Sequence, residues 1–136
     1  MALISSFPSR IPTGMNGKPA TIYKRESKRI YYQDLYDLYN RQVFESGFPD
    51  LANIGLAAGG VASIKLLSVV CDWIGVGAAF ATAYINAYGK VAEECWKAGL
   101  THAIHNSSVL METTIWTYDT GTTHGRAYEY QLAFYS

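Results

Sequence analysis

Few residues in this chain combine a reactive type with a useful spacing, and the histidines lead. His102 and His105 stand three apart and His124 follows; with Glu112 they form a candidate metal site of the two- or three-histidine, one-carboxylate kind. A centre of that kind would make the chain a small metal enzyme. The same spacing also suits histidines that cap helix carbonyls or face water, so it does not by itself demand an ion. No Cys, Ser or Lys sits in a nucleophile signature, and Cys71, set in an apolar helical stretch, reads as an inert core thiol. Glu93 and Glu94 are adjacent and so point about 100° apart on a helix, which suits a solvated end better than shared acid and base work. Gly75-x-Gly77 lacks the third glycine of a dinucleotide fingerprint and follows a helix rather than a strand. Asn106-Ser107-Ser108 is a glycosylation sequon only in a eukaryotic secretory setting. No cofactor is expected.

Binding is better signalled than catalysis. The 136 residues carry 11 basic and 11 acidic side chains, yet up to residue 29 there are Arg10, Lys18, Lys24, Arg25, Lys28 and Arg29 against Glu26 alone. The remainder is acidic by the same margin. Lys24, Arg25, Lys28 and Arg29 are therefore the candidate partner-binding residues, for the acidic body of a neighbouring copy, an anionic lipid surface or a nucleic acid. Affinity for a nucleic acid would fall steeply with salt. A solvated tail is the plainer reading of the same charges.

These residues must be positioned around Leu51 to Gly89, where Lys65 and Asp72 are the only charged side chains. That stretch has to be hidden from water in the chain's own fold, against copies, or in a bilayer. Trp73 to Gly89 is uncharged for 17 residues, at the lower edge of the ~17 to 25 that span a membrane. Gly55 and Gly59 form a GxxxG among many alanines, and Gly75 and Gly77 follow; these four are the candidate self-association glycines, since small residues let helix backbones approach closely.

The expected fold class is α+β in one domain, residues 1–136. Residues 1–24 read as a basic extended arm rich in Pro and Gly, with a tight turn at Asn16-Gly17 and a short edge strand at Thr21, Ile22 and Tyr23. Three- and four-residue spacing of Ile30, Tyr31, Leu35, Leu38, Tyr39 and Val43 predicts an amphipathic helix over 27–46, stopped by Gly47 and Pro49. Residues 51–99 read as a Gly- and Ala-rich apolar helical hairpin or long kinked helix. Breaks are expected at Gly59-Gly60 and at Gly75 to Gly77, and Gly99 closes the last helix, Ala78 to Ala98. His102 to Ser108 reads as a linker. Alternation then predicts an antiparallel β-hairpin over 109–135 that pairs Ile115 with Tyr130 and Met111 with Phe134, and two strands alone call for a third. Cys71 and Cys95 on one helix would lie ~36 Å apart, so no disulfide is expected between them.

Charged residues make up 16% of the chain, below the ~25% of an average soluble domain, and there are eleven tyrosines, rings that suit half-wet interfaces. Met1 to Pro12 has no cationic start followed by an apolar run, so no signal peptide is expected; a mature secreted form and a virion or other assembly both fit.

Residues 51–100, Gly- and Ala-rich and largely apolar, resemble the apolar helices of bacteriocins and other small membrane-active toxins. The resemblance is one of composition and implies a membrane-active, pore-forming role without assigning a role to any residue. Taken with the charge asymmetry and the tyrosines, the reading that accounts for most features is a non-enzymatic, self-assembling subunit of a filament, shell or coat. Its partners would be copies of itself, with the apolar helices buried between copies.

Overall fold

The computed structural model describes residues 2–9, 19–35, 37, 61–77, 79–120 and 125–136. They form an α+β fold in which one antiparallel four-stranded sheet is covered on one face by helices. The strands are β1 (Leu3–Phe7), β2 (Thr21–Tyr31), β3 (Ser108–Asp119) and β4 (Arg126–Tyr135), and the helices are α1 (Val61–Trp73), α2 (Ala79–Tyr88) and α3 (Lys90–Asn106). Strand order is β1-β4-β3-β2, so the first two strands of the chain are the two edges of the sheet.

The hairpin at the centre follows from period-two alternation. β3 and β4 pair Met111 with Phe134, Thr113 with Leu132 and Ile115 with Tyr130, the register that alternation requires. Val109, Met111, Leu132 and Phe134 on that face are fully buried. α3 lies across β1, β3 and β4, α2 touches β4, and α1 packs on α2. Ala92, Trp96, Leu100 and Ala103 of α3 and Leu67, Val70, Ile74, Phe80 and Tyr84 of the other two helices join the same core. Within the apolar stretch, Leu67, Val70, Cys71, Ile74, Phe80, Ala81 and Tyr84 are thus buried by the chain's own fold. No helix among the described residues is long and apolar enough to cross a membrane.

Tyrosines serve this core too. Phe80 stacks on Tyr84 and meets Tyr130 edge-on, and Tyr84 meets Tyr88, which meets Phe7. The hydroxyl of Tyr84 donates to the Phe7 carbonyl at 2.8 Å, fastening α2 to the edge strand β1.

Several expectations need correction. The arm is not wholly extended coil: residues 3–7 and 21–31 are the edge strands, and the short strand expected at Thr21 to Tyr23 runs on to Tyr31. Residues 27–31 are therefore strand rather than the start of a helix. A helical turn begins at residue 32, and residues 38–60, with the rest of the expected 27–46 helix and Gly55, Gly59 and Gly60, lie outside the described residues. The long helix from Ala78 breaks at Gly89, whose φ of 61° ends α2. Gly99 does not close a helix; it is buried inside α3, and the expected linker from His102 is helical to Asn106. Trp96 and Leu100 pack into the core on either side of Gly99, with Ala103 one turn further on, and that burial carries the helix through residues of poor propensity. Ser107, at φ 77°, turns the chain into β3, and its carbonyl receives the Tyr32 amide at 2.7 Å.

Candidate functional site

The four candidate partner-binding cations all lie on β2, an edge strand paired on one side only among the described residues. Pairing places Arg25 opposite Thr114 and Arg29 opposite Leu110 on the face away from the helices, and Lys28 opposite Met111 on the helix face; Lys24, opposite Ile115, also faces the helices. β2 thus carries cations on both faces, with Glu26 between Lys24 and Lys28.

The chain itself engages three of the four. Lys24 Nζ donates to the Gly75 carbonyl at 3.0 Å, tying β2 to the turn between α1 and α2. Arg29 donates to Ser108 Oγ at 3.0 Å and to the Ser136 carbonyl at 3.3 Å. Arg25 Nε donates to Thr114 Oγ1 at 3.1 Å, lies 3.8 Å from Glu112 Oε1, and sits over the Trp116 ring at 5.7 Å. Lys28 has no hydrogen bond or ion pair among the described residues. It borders a cleft of about 340 Å³ with Arg29, Ile30, Asp34, Asp37, Val69 and Trp73.

A polar line runs across the open face from one edge towards the other. From Arg25 it passes to Trp116, whose indole N–H donates to Gln131 Oε1 at 2.9 Å, and Gln131 Nε2 donates to the Pro8 carbonyl at 2.9 Å. It touches β2, β3, β4 and the exit of β1. Trp116 and Gln131 were not singled out by sequence reasoning. The available signal was their place at alternate positions of two strands whose pairing register was legible.

The edges also carry exposed hydrophobics. Leu3 is 58% exposed, Ile22 46%, Tyr23 63% and Tyr31 52%; Val91 and Tyr128 complete the large exposed apolar residues among those described. Tyr128 is in edge contact with Tyr23 at 5.4 Å, so five of the six belong to the edges or touch them.

His102 and His105 lie on α3, His102 Nδ1 3.3 Å from Asn106 Nδ2. They line a shallow depression with Ile4, Glu94, Lys97 and Thr101. His124 lies outside the described residues, and Glu112 sits on the sheet beside Arg25. Among the described residues no three His, Cys, Asp or Glu side chains stand close enough together to hold a metal ion. Both thiols are free and buried, and burial pushes Cys71 up to about 12 and raises Cys95 as well. Each is protonated at neutral pH, which does not suit nucleophilic attack.

The glycines proposed for self-association divide. Gly75 and Gly77, each at φ 93°, shape the turn between α1 and α2, a backbone role that favours glycine. The close approach within the fold is at Gly99, under the Phe134 ring. No protein family, curated protein or solved structure was found to match the chain.

Proposed function

We propose that the chain is a non-enzymatic, self-assembling structural subunit whose copies join through the edges of the sheet. The observation that carries this reading is the concentration of exposed hydrophobics, Leu3, Ile22, Tyr23 and Tyr31, on two outer strands that have no outer partner among the described residues. An exposed edge is a template for pairing with another chain, and monomeric proteins ordinarily blunt or cover it. This reading places the assembly contact at the edges rather than at the apolar helices, whose Leu67, Val70, Phe80 and Tyr84 pack in the chain's own core. Lys24, Arg25, Lys28 and Arg29 would lie at the contact, with a nucleic acid or an anionic lipid as their alternative partner.

Light scattering after chromatography tests the reading. Species much larger than 15.0 kDa at micromolar concentration, without lipid, are the expected result. A single monomeric peak over that range would overturn it.

One observation favours a membrane-active role as the second reading. α1 and α2 form a hairpin in which Lys65 and Asp72 are the only charged residues, and α3 rather than α1 makes the main helix contacts with the sheet. A hairpin so placed could leave the core and enter lipid. Dye release from anionic vesicles by the monomer would support that role and count against a subunit.

A further inference from the structure

We propose that copies join head to tail, β2 of one against β1 of the next, in an antiparallel register that sets Leu3 beside Tyr31. The inference rests on the self-assembly reading and names the partner surface for each edge.

Charge disfavours the simpler arrangement, β2 against a second β2. In the three antiparallel registers of fullest overlap that keep the helices of both copies on one side of the sheet, Lys24 falls opposite Lys28 and Glu26 opposite itself, or Arg25 falls opposite Arg29, or Arg25 falls opposite itself, with Glu26 meeting a lysine in the last two. Like charges directly opposite destabilise a strand pair, and lysine on an edge is a recurrent guard against such pairing. β1, LISSF, carries no charge and meets no such barrier.

Direction and facing agree with this. In the order β1-β4-β3-β2 every neighbouring pair is antiparallel, so β2 runs opposite to β1. A second copy in the same orientation therefore presents its β1 antiparallel to β2 and keeps its helices on the same side of the sheet.

Facing also selects a register. Leu3 and Ser6 pair with Tyr135 and Ala133 on the open face, where Tyr31 and Arg29 also lie opposite Ser108 and Leu110. Setting Ser6 opposite Arg29 brings Leu3, after the irregularity at Ile4, opposite Tyr31. Two residues exposed by 58% and 52% then cover each other.

The contact is heterologous, so it propagates rather than closing as a dimer. Four strands at ~4.8 Å give a rise of ~19 Å per copy. A strand-to-strand twist of ~20 to 25° turns each copy by ~80 to 100°, or about four copies per turn.

The test is a Leu3→Cys/Tyr31→Cys double variant, oxidised and run on a non-reducing gel beside the two single variants. The buried Cys71 and Cys95 are common to all three. A covalent ladder from the double variant alone is expected. Assembly seen by light scattering with no ladder would overturn this contact while leaving self-assembly standing; a monomer in solution would overturn both. Dimers from Leu3→Cys alone would show β1 against β1 and would also overturn it. Ser6→Lys and Ser6→Glu give an independent reading at a half-buried position on the open face, and both lose the same hydroxyl bond to the Pro8 carbonyl. Opposite Arg29, the lysine should raise the concentration needed for assembly several-fold relative to the glutamate, and equal behaviour would count against the register.

Discussion

Gly99 and Phe134 are packed so closely that a methyl group on Gly99 would overlap the carbons of the Phe134 ring. Because Gly99 is inside α3 and Phe134 is on the inner strand β4, this contact limits how closely the helix and sheet layers can be kept together if a side chain is added. Gly99→Ala should cost about 3 kcal/mol, the upper part of the range for overpacking a core, read from the urea midpoint at unchanged m. Phe134→Leu in the same chain should recover part of that loss. A cost below about 0.5 kcal/mol would mean that the layers are free to separate.

Gln131 holds both ends of the polar line, accepting from Trp116 and donating to Pro8. Gln131→Leu leaves a part-buried indole N–H without its partner and the Pro8 carbonyl with only the 3.4 Å bond from Ser6 Oγ, and removing hydrogen bonds in that way costs about 1 to 3 kcal/mol. Chemical denaturation should show that loss, with a Trp116 emission that shifts to the red as its surroundings loosen. Gln131→Glu keeps the acceptor for Trp116 but loses the donor to Pro8, so it should fall between the two.

High pH should weaken the fold. Burial raises the Cys71 thiol from 9.0 to about 12, and it also raises Cys95, Tyr84 and Tyr88. Each folded-state value lies above the unfolded one, so the folded chain holds these protons more tightly. Their contribution is fully present below about pH 9 and is lost as pH rises towards 12. Unfolding free energy measured from pH 8 to 11 should fall, and Cys71→Ala, whatever it costs at pH 8, should make that fall shallower. An unchanged slope would show that Cys71 ionises alike in both states.

These contacts show why the sequence was legible in some places only. The β3–β4 register could be read because Met111, Ile115, Tyr130 and Phe134 alternate cleanly on a buried face. The turn at Gly75 and Gly77 could be read because positive φ favours glycine. β2 beyond Tyr23 could not, because its helix-facing positions at the edge are Lys24, Glu26 and Lys28 rather than apolar residues, which erases the period-two pattern. The apolar spacing from Ile30 onward then drew the expected helix back over Ser27 to Tyr31. Gly99 reads as a stop in the sequence because the need for a bare backbone there comes from Phe134, 35 positions later. The cations were visible as a cluster, but their placement on an edge strand, and the line through Trp116 to Gln131, depend on which strands are neighbours.

Trp96 supplies a prediction of the opposite sign. Its ring is fully buried on α3, and its indole N–H has no hydrogen-bond partner among the described residues. A buried donor without a partner carries a desolvation cost of about 1 to 3 kcal/mol, which the folded chain bears at this position. Trp96→Phe removes the N–H while keeping an aromatic ring, so the cavity it leaves and the relief of the donor should nearly offset, giving a net change within about 1 kcal/mol. Trp96→Ala relieves the same donor but empties the site, and large-to-small changes of this kind cost about 3 to 5 kcal/mol. The gap between the two variants, measured by chemical denaturation, therefore separates ring packing from the stranded donor. If Trp96→Phe were as damaging as Trp96→Ala, the N–H would have a partner in solution, and the indole would be a polar anchor of α3 rather than a volume in its core.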